Sequence, residues 1–135
     1  MKNKPDQLKY SKYQKNRNKG FSTKRNYLIH GNYGLKSIEN GFLNFKQIES
    51  ARKMLIHFLG KSSKILIRVF PDKVLTKKPL EVRMGKGKGP IYDWVSVIKP
   101  GIILFEVLNF NYLIVKKAFY VASQKLSIKT EICYE

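Results

Sequence analysis

The length and charge of the chain limit what it can be. With 135 residues, 43% of them apolar, it can build one modest hydrophobic core, and its 27 Lys and Arg residues against 9 acidic ones give a formal net charge of +18. Soluble domains usually intersperse the two signs, so this surplus indicates a polyanionic partner, nucleic acid rather than a membrane surface. The single cysteine, Cys133, excludes an intramolecular disulfide and a thiolate zinc site.

Residues 1–25 form the first of two basic regions. Nine Lys and Arg residues stand against Asp6, a net charge of +8, and few residues are apolar. We therefore predict an extended arm that orders only when it binds, followed by a single domain over residues 26–135. Cations alternate with aromatic side chains, which suits RNA phosphates and unpaired bases, although a tyrosine could instead dock on the domain. The arm residues predicted to bind RNA are Lys9, Tyr10, Lys12, Tyr13, Lys15, Arg17 and Lys19.

From residue 26 onward, local patterns predict secondary structure. Residues 27–30 and 35–38, with glycines between them, are expected to form two short strands around a turn. Apolar side chains recur at helical spacing over residues 45–59, and Gly60 is a suitable end for this helix. Residues 65–70 are β-branched and aromatic up to a proline, which predicts a strand.

The C-terminal half is predicted to contain a hairpin, a helix and a last strand. Residues 94–98 and 102–107 are interpreted as hairpin strands around a Lys-Pro-Gly turn. Helical spacing covers residues 112–125, with Asn111 as the N-cap, and residues 127–133 alternate as a strand does. The predicted fold class is α+β, a mainly antiparallel sheet with two packed helices, preceded by the basic extension.

The second basic region contains a long Gly- and Lys-rich loop. Residues 61–90 carry a net charge of +7, and residues 77–90 read KKPLEVRMGKGKGP. Glycine allows a close approach of nucleic acid to the backbone, while lysine supplies charge for phosphates. This loop matches neither of two common nucleotide-binding fingerprints. The GxGxxG fingerprint needs glycine where Pro90 stands, and the P-loop needs Ser or Thr after its lysine. We expect the strands over residues 65–70 and 94–98 to anchor the loop; a flexible solvated linker is the alternative.

Two other classes of protein are alternatives to an RNA-binding scaffold. An RNA-processing enzyme would need a carboxylate pair or a His-centred site, and His30 and His57 are far apart without metal-ligand spacing. A DNA-binding or membrane-surface protein would need a recognition helix or one dense basic helix face, and neither predicted helix has one. We expect no enzyme activity, no cofactor, no metal, no membrane association and no homo-oligomer.

The motif that is most specific extends from residue 65 to residue 89, ILIRVFPDKVLTKKPLEVRMGKGKG. Residues 64–73 and 78–89 resemble a strand "KIWIRVFPDK" and a loop "KPxxxRMGKGKG" of the bacterial-type large-subunit ribosomal protein sixteen family, with Leu66 in place of tryptophan. Residues 9–20, 33–37, 47–52 and 117–130 are also similar to that family. Departures from the family pattern occur at Ser11, at Asn16 and over residues 108–114.

This resemblance implies a structural protein of the large ribosomal subunit that binds ribosomal RNA near the A and P sites. It implies support for assembly and for tRNA positioning, with ribosomal RNA, tRNA and other large-subunit proteins as partners. It adds Lys64, Arg68, Lys77 and Lys78 to the predicted rRNA-binding residues. It places close to tRNA the loop residues Arg83, Met84, Gly85, Lys86, Gly87 and Lys88.

The amino-acid composition indicates the compartment in which such a protein would act. Lysine outnumbers arginine by 22 to 5, as expected of an AT-rich genome. The start of the chain lacks the apolar core of a secretory signal and does not resemble a transit peptide. With the divergent residues 108–114, these features favour a mitochondrial ribosome; a plastid or a bacterial cytoplasm is the alternative.

Overall fold

A computed structural model describes residues 3–108 and 110–134 of the chain. Among the described residues before Tyr33, none belongs to a helix or a strand. The elements that follow are β1 (Tyr33–Ser37), β2 (Gly41–Asn44), α1 (Phe45–Leu59), β3 (Ile65–Ile67), β4 (Lys73–Thr76), β5 (Ile91–Ile98), β6 (Ile103–Val107), α2 (Tyr112–Ser123) and β7 (Thr130–Tyr134). The predicted α+β class with two helices and antiparallel strands is confirmed.

The strands form two antiparallel sheets joined by one bent ribbon. The larger sheet has the order β3-β6-β1-β7, and the smaller sheet has the order β2-β5-β4. In the larger sheet Lys36 of β1 pairs with Ile103 of β6. In the smaller sheet Gly41 of β2, five residues after Lys36, pairs with Ile98 of β5, five residues before Ile103. The residue pairing thus continues from one sheet into the other. The segment β1–β2 and the segment β5–β6 therefore form one antiparallel ribbon that bends between the sheets.

Both helices bury one apolar face, and the two faces meet in the core. Spacing of three or four residues places Ile48, Ala51, Leu55 and Leu59 on the buried side of α1. Helix α2 buries Val115, Ala118, Phe119 and Ala122 in the same way, and it packs against α1. Asn111 caps α2 as predicted, because its side chain accepts a hydrogen bond from the Leu113 amide at 2.9 Å.

The prediction of a strand over residues 27–30 is wrong. Only the second predicted strand exists, as β1, and its neighbours are β6 and β7. The His30 and Gly31 amides instead donate to the side chain of Glu106, at 3.1 Å each. A Cβ atom at Gly31 would lie only 2.9 Å from the Cβ of Glu106, so glycine is needed for this approach. The amides of His30 and Gly31 are therefore used by a side chain, not by a neighbouring strand.

The predicted hairpin over residues 94–107 is also wrong, although its turn exists. The Ile102 amide donates to the Lys99 carbonyl at 3.2 Å, as in a β-turn. The two strands then diverge, because β5 pairs with β2 and β4 whereas β6 pairs with β1 and β3. The chain thus bends from one sheet into the other. Helix α2 also ends earlier than predicted, at Ser123, and β2 and β4 were not predicted.

Candidate nucleic-acid interface

The basic arm lies against the bend between the two sheets. The Asn18 amide nitrogen donates to the carbonyls of Gly41 and Ile98, at 3.0 and 2.8 Å, where β2 meets β5. The Ser22 amide donates to the Pro100 carbonyl at 3.0 Å. Asn18 was absent from the predicted set, and only its place in the segment similar to the ribosomal family could have indicated it. The arm is thus anchored to the domain near its C-terminal end.

Contacts of lysine with backbone carbonyls bring the arm and the Gly/Lys-rich loop together. The ammonium group of Lys88 donates to the Tyr13 carbonyl, and that of Lys12 donates to the Lys88 carbonyl at 3.5 Å. The ammonium group of Lys73, at the start of β4, donates to the Lys15 carbonyl at 2.9 Å. The two basic regions of the sequence thus form one surface. We call residues 9–19 and 77–90 together the arm–loop surface.

The ends of the loop are fixed by strands β4 and β5. The Lys77 amide donates to the Pro90 carbonyl at 3.2 Å, which closes the base of the loop. A Cβ atom at Gly89 would lie 2.7 Å from the Lys77 carbonyl oxygen, so only glycine fits there. The expected anchor over residues 94–98 is confirmed within β5, whereas the strand over residues 65–70 is not the other anchor. That place is taken by β4, because the chain turns at Pro71 and pairs again before it enters the loop.

The tip of the loop is exposed and carries both charge and apolar surface. Every residue from 80 to 88 is exposed, and Leu80 and Met84 are 96% and 99% accessible. Gly85, Lys86 and Gly87 have φ angles of 97°, 54° and 76°, in the left-handed region that favours glycine. Exposed apolar side chains between cations can contact the faces of nucleic-acid bases while the cations meet phosphates.

The predicted tyrosines and loop lysines differ in their surroundings. Tyr10 is 62% exposed, whereas Tyr13 is 39% exposed and lines a crevice between the arm and Lys73, so the alternative of docking on the domain fits Tyr13 better. The Lys77 ammonium lies 5.4 Å from the centre of the Tyr92 ring, and that of Lys78 donates to the Gly85 carbonyl. Lys77 and Lys78 thus contact residues of β5 and of the loop itself, and their ammonium groups stay near the loop surface.

Arg68 lies apart from the arm–loop surface, inside the domain. Its guanidinium pairs with the carboxylate of Glu106 on β6, and its side chain is only 13% exposed. Glu106 is fully buried, and its other oxygen accepts the two amides of His30 and Gly31. Glu106 lies within the apolar run of residues 102–107, and its neighbours in sequence give no signal for this partner. Its function in the fold is to bind the segment that joins the arm to the domain.

Lys64 also lies outside the arm–loop surface. It is exposed immediately before β3, the edge strand of the larger sheet, whereas Asn18 and Lys15 of the arm contact the smaller sheet. The predicted rRNA-binding residues are therefore divided between at least two places on the domain.

Comparisons with known proteins agree with the motif. The family model described as "Ribosomal protein L16p/L10e" matches residues 5–133. The chain belongs to the ribosomal protein L16p/L10e family. Over 127 residues it is 44% identical to the large ribosomal subunit protein uL16 of Christiangramia forsetii, covering 94% of this chain and 91% of the relative. It is 46% identical to that of Karelsulcia muelleri, covering 94% and 93%, and 48% identical to that of Wigglesworthia glossinidia brevipalpis, covering 93% and 92%.

Membership in the L16p/L10e family confirms the resemblance found in the sequence. It also confirms that the chain is a structural ribosomal protein and not an enzyme, so the RNA-processing alternative is excluded. The three relatives named are bacterial proteins, and the mitochondrial placement stays a prediction.

Outside the interface, the surroundings of Cys133 indicate a structural role in this L16p/L10e member. Burial raises the pKa of the Cys133 thiol, which lies 3.4 Å from the Gly34 carbonyl oxygen, so little reactive thiolate forms at neutral pH. Over residues 3–108 and 110–134, no cluster of three or more His, Cys, Asp and Glu side chains could hold a metal ion. In the same ranges, none of the helices combines the length and apolar character needed to span a membrane.

Proposed function

We propose that the chain is a constituent of the large ribosomal subunit whose arm–loop surface binds ribosomal RNA near the A and P sites and holds the loop close to tRNA. The observation that carries this proposal is the convergence of the two basic segments. They are distant in sequence but joined by the contacts of Lys12, Lys73 and Lys88. The names of the relatives support the large subunit as its location.

Convergence matters because cations crowded on one face repel each other unless a polyanion lies between them. The carbonyls of Tyr13, Lys15 and Lys88 offset part of this repulsion by accepting bonds from lysine ammonium groups. A carbonyl dipole does not neutralise a full charge, so the surface still attracts phosphates. Binding RNA would release counterions and thereby favour the complex most strongly at low salt.

The arm and the loop are suited to different parts of this task. We assign ribosomal RNA to the arm, since it is anchored at Asn18 and can follow a phosphate backbone from there. We assign tRNA to the loop tip, where Arg83 can bind two acceptor atoms at once and Lys86 acts as a point charge. Both side chains are exposed, and the adjacent Met84 can lie against a base or a ribose.

The loop assignment is tested by replacing Arg83, Lys86 and Lys88 with alanine in ribosomes. We expect large subunits that assemble normally but bind A-site tRNA more slowly and more weakly, measured by the rate and equilibrium of tRNA binding to purified ribosomes. A control variant removes three exposed lysines elsewhere, Lys46→Ala, Lys53→Ala and Lys61→Ala, and should bind tRNA normally.

Two results would contradict the assignment. Normal tRNA binding by the triple loop variant would show that the loop has no part in tRNA placement. Subunits that fail to assemble would assign the loop to RNA folding. The pair Arg83→Ala and Lys86→Ala leaves the contact of Lys88 with the arm intact, so it separates the loop tip from the arm–loop contact.

We also propose that the protein works in a mitochondrial ribosome. The excess of lysine over arginine, 22 to 5, and the departures over residues 108–114 support this placement. Fractionation of the source cells, followed by detection of the protein by mass spectrometry, should find it with mitochondrial large subunits. Detection in plastid ribosomes or in a bacterial cytoplasm would overturn the placement.

A further inference from the structure

We infer that the groove between α2 and β7 receives an extended segment of another large-subunit protein, one with alternating apolar side chains and at least one carboxylate. This groove lies on the larger sheet, and the arm–loop contacts described above are with the smaller one. The identity of the partner as a ribosomal protein rests on the proposed location in the large subunit. The geometry of the groove does not depend on that location.

The groove is apolar and open along its length. It has a volume of about 410 Å³, and its floor includes Leu35 of β1, Phe119 of α2 and Ile132 of β7. On its helix side Leu113 and Tyr120 are 66% and 68% exposed. A cluster of large apolar side chains left exposed beside a concave floor is typical of a contact surface.

Within the described residues, strand β7 has no neighbouring strand on the edge beside this groove. It is the last strand in the order of the larger sheet, and β1 is its partner there. The Ile38 amide donates to the Lys129 carbonyl at 3.0 Å, which directs the backbone of Lys129 toward β1. Because antiparallel pairs alternate, the backbone groups of Thr130 and Ile132 point away from β1, to the free edge.

The same alternation places the side chains of an added strand correctly. Thr130 and Ile132 line the groove, so the residues of β7 with outward backbone groups also direct their side chains toward α2. A segment that pairs with this edge would place every second side chain over the groove. Strand addition of this kind takes affinity from the backbone bonds and specificity from the pocket.

The chemistry of the groove favours an acidic, apolar peptide. Lys116 and Lys117 line it, and none of its described lining residues is acidic. The Thr130 hydroxyl is buried and has no hydrogen-bond partner within the described residues, so a polar group of the occupant would satisfy it. RNA is disfavoured, because base edges need several polar partners and the floor offers mainly hydrocarbon. A second copy of the chain is disfavoured by its net charge of +18.

Photo-crosslinking in assembled large subunits tests the inference. Leu113→p-benzoylphenylalanine places a photoreactive group at the groove, and Lys53→p-benzoylphenylalanine on the exposed face of α1 is the matched control. We expect irradiation to join the groove variant, but not the control, to one segment of another ribosomal protein. Mass spectrometry should show that this segment alternates apolar residues and contains Asp or Glu.

A second pair of variants tests the charge. Lys116→Glu with Lys117→Glu should reduce the occupancy of the crosslinked protein in purified subunits by about tenfold, because like charges would then face each other. Lys46→Glu with Lys53→Glu makes the same change of charge on α1 and should leave that occupancy unchanged. If the Leu113 variant does not fold, as judged by circular dichroism, Tyr120→p-benzoylphenylalanine places the probe at the same groove, two turns further along α2.

Each outcome has a defined meaning. Crosslinks only to RNA, only to a second copy, or to nothing, in subunits that contain the chain, would overturn the inference and leave the proposed function standing. Absence of the chain from large subunits would overturn the proposed function itself. The inference that the partner is a ribosomal protein would then fall as well.

Discussion

Arg68 and Arg83 belong to the same motif, yet the fold uses them in opposite ways. Arg68 is nearly buried and paired with the carboxylate of Glu106, whereas Arg83 is exposed at the tip of the loop. The larger sheet keeps the buried Arg68–Glu106 pair satisfied. The arm–loop surface instead collects exposed cations, whose charge we propose is neutralised by nucleic acid. One basic motif therefore contains both a charge that supports the fold and an exposed charge that we propose binds RNA.

The largest expected effect comes from breaking the buried pair. Glu106→Ala would leave the Arg68 cation and the amides of His30 and Gly31 without their acceptor. We expect the free energy of unfolding to fall by about 3–5 kcal/mol, the usual cost of leaving a buried charge unpaired. Urea denaturation of the purified protein measures this loss.

A double variant shows how much of that loss comes from the unpaired charge of Arg68. Arg68→Met with Glu106→Leu removes both charges and should recover a part of the stability, though not all, because the two amides still lack a partner. A loss below about 1 kcal/mol for Glu106→Ala would mean that the pair is weakly coupled to the fold.

The arm should respond in the opposite way, with a large change in binding and a small change in stability. Replacing its five cations by alanine should flatten the dependence of RNA affinity on salt by about 0.7–0.9 for each phosphate that the arm no longer neutralises. The unfolding free energy should change by less than about 0.5 kcal/mol, because Lys73 and Lys88 bind backbone carbonyls, which alanine retains, and the Lys12 contact that is lost is exposed and 3.5 Å long. The replaced residues are Lys9, Lys12, Lys15, Arg17 and Lys19.

A titration of affinity against salt, with a fragment of large-subunit RNA, measures this slope. The control removes five exposed lysines of the domain and should leave the slope unchanged; they are Lys46, Lys53, Lys61, Lys116 and Lys125. An unchanged slope for the arm variant would show that the arm does not contact phosphates.

The elements that were predicted correctly are those specified by neighbours in sequence. Helix α1 follows from its apolar spacing, and the cap of α2 follows from Asn111 beside it. The hairpin was predicted wrongly because a turn specifies where the chain bends, while the partner of each strand depends on burial across the whole sheet. Strands β2 and β4 have four residues each, too few for a periodic signal.

The site was predictable in composition but not in arrangement. The charge of the arm and of the loop is visible in the sequence, and the motif indicated the family. The contact of Lys88 with Tyr13 depends on how β4 and β5 pair, which no local pattern encodes. The same holds for Glu106 of β6, whose partner Arg68 follows β3 directly and becomes its neighbour through the pairing of β3 with β6.

The smallest expected effect concerns an ion pair outside this buried network. Arg52 donates to Glu49 at 3.0 Å within α1, and this hydrogen bond lowers the pKa of the Glu49 carboxyl. Glu49→Gln should reduce the unfolding free energy by only about 0.2–0.5 kcal/mol, since pairs of this spacing on a helix surface contribute little. Because the folded-state pKa is lowered, the stabilisation is present above the ordinary glutamate pKa of about 4.3 and is lost as the pH falls through the folded-state value. Urea denaturation at pH 7 and at pH 3 should therefore give a smaller difference between variant and parent at the lower pH. A loss comparable to that of Glu106→Ala would contradict the distinction between exposed and buried charge in this fold.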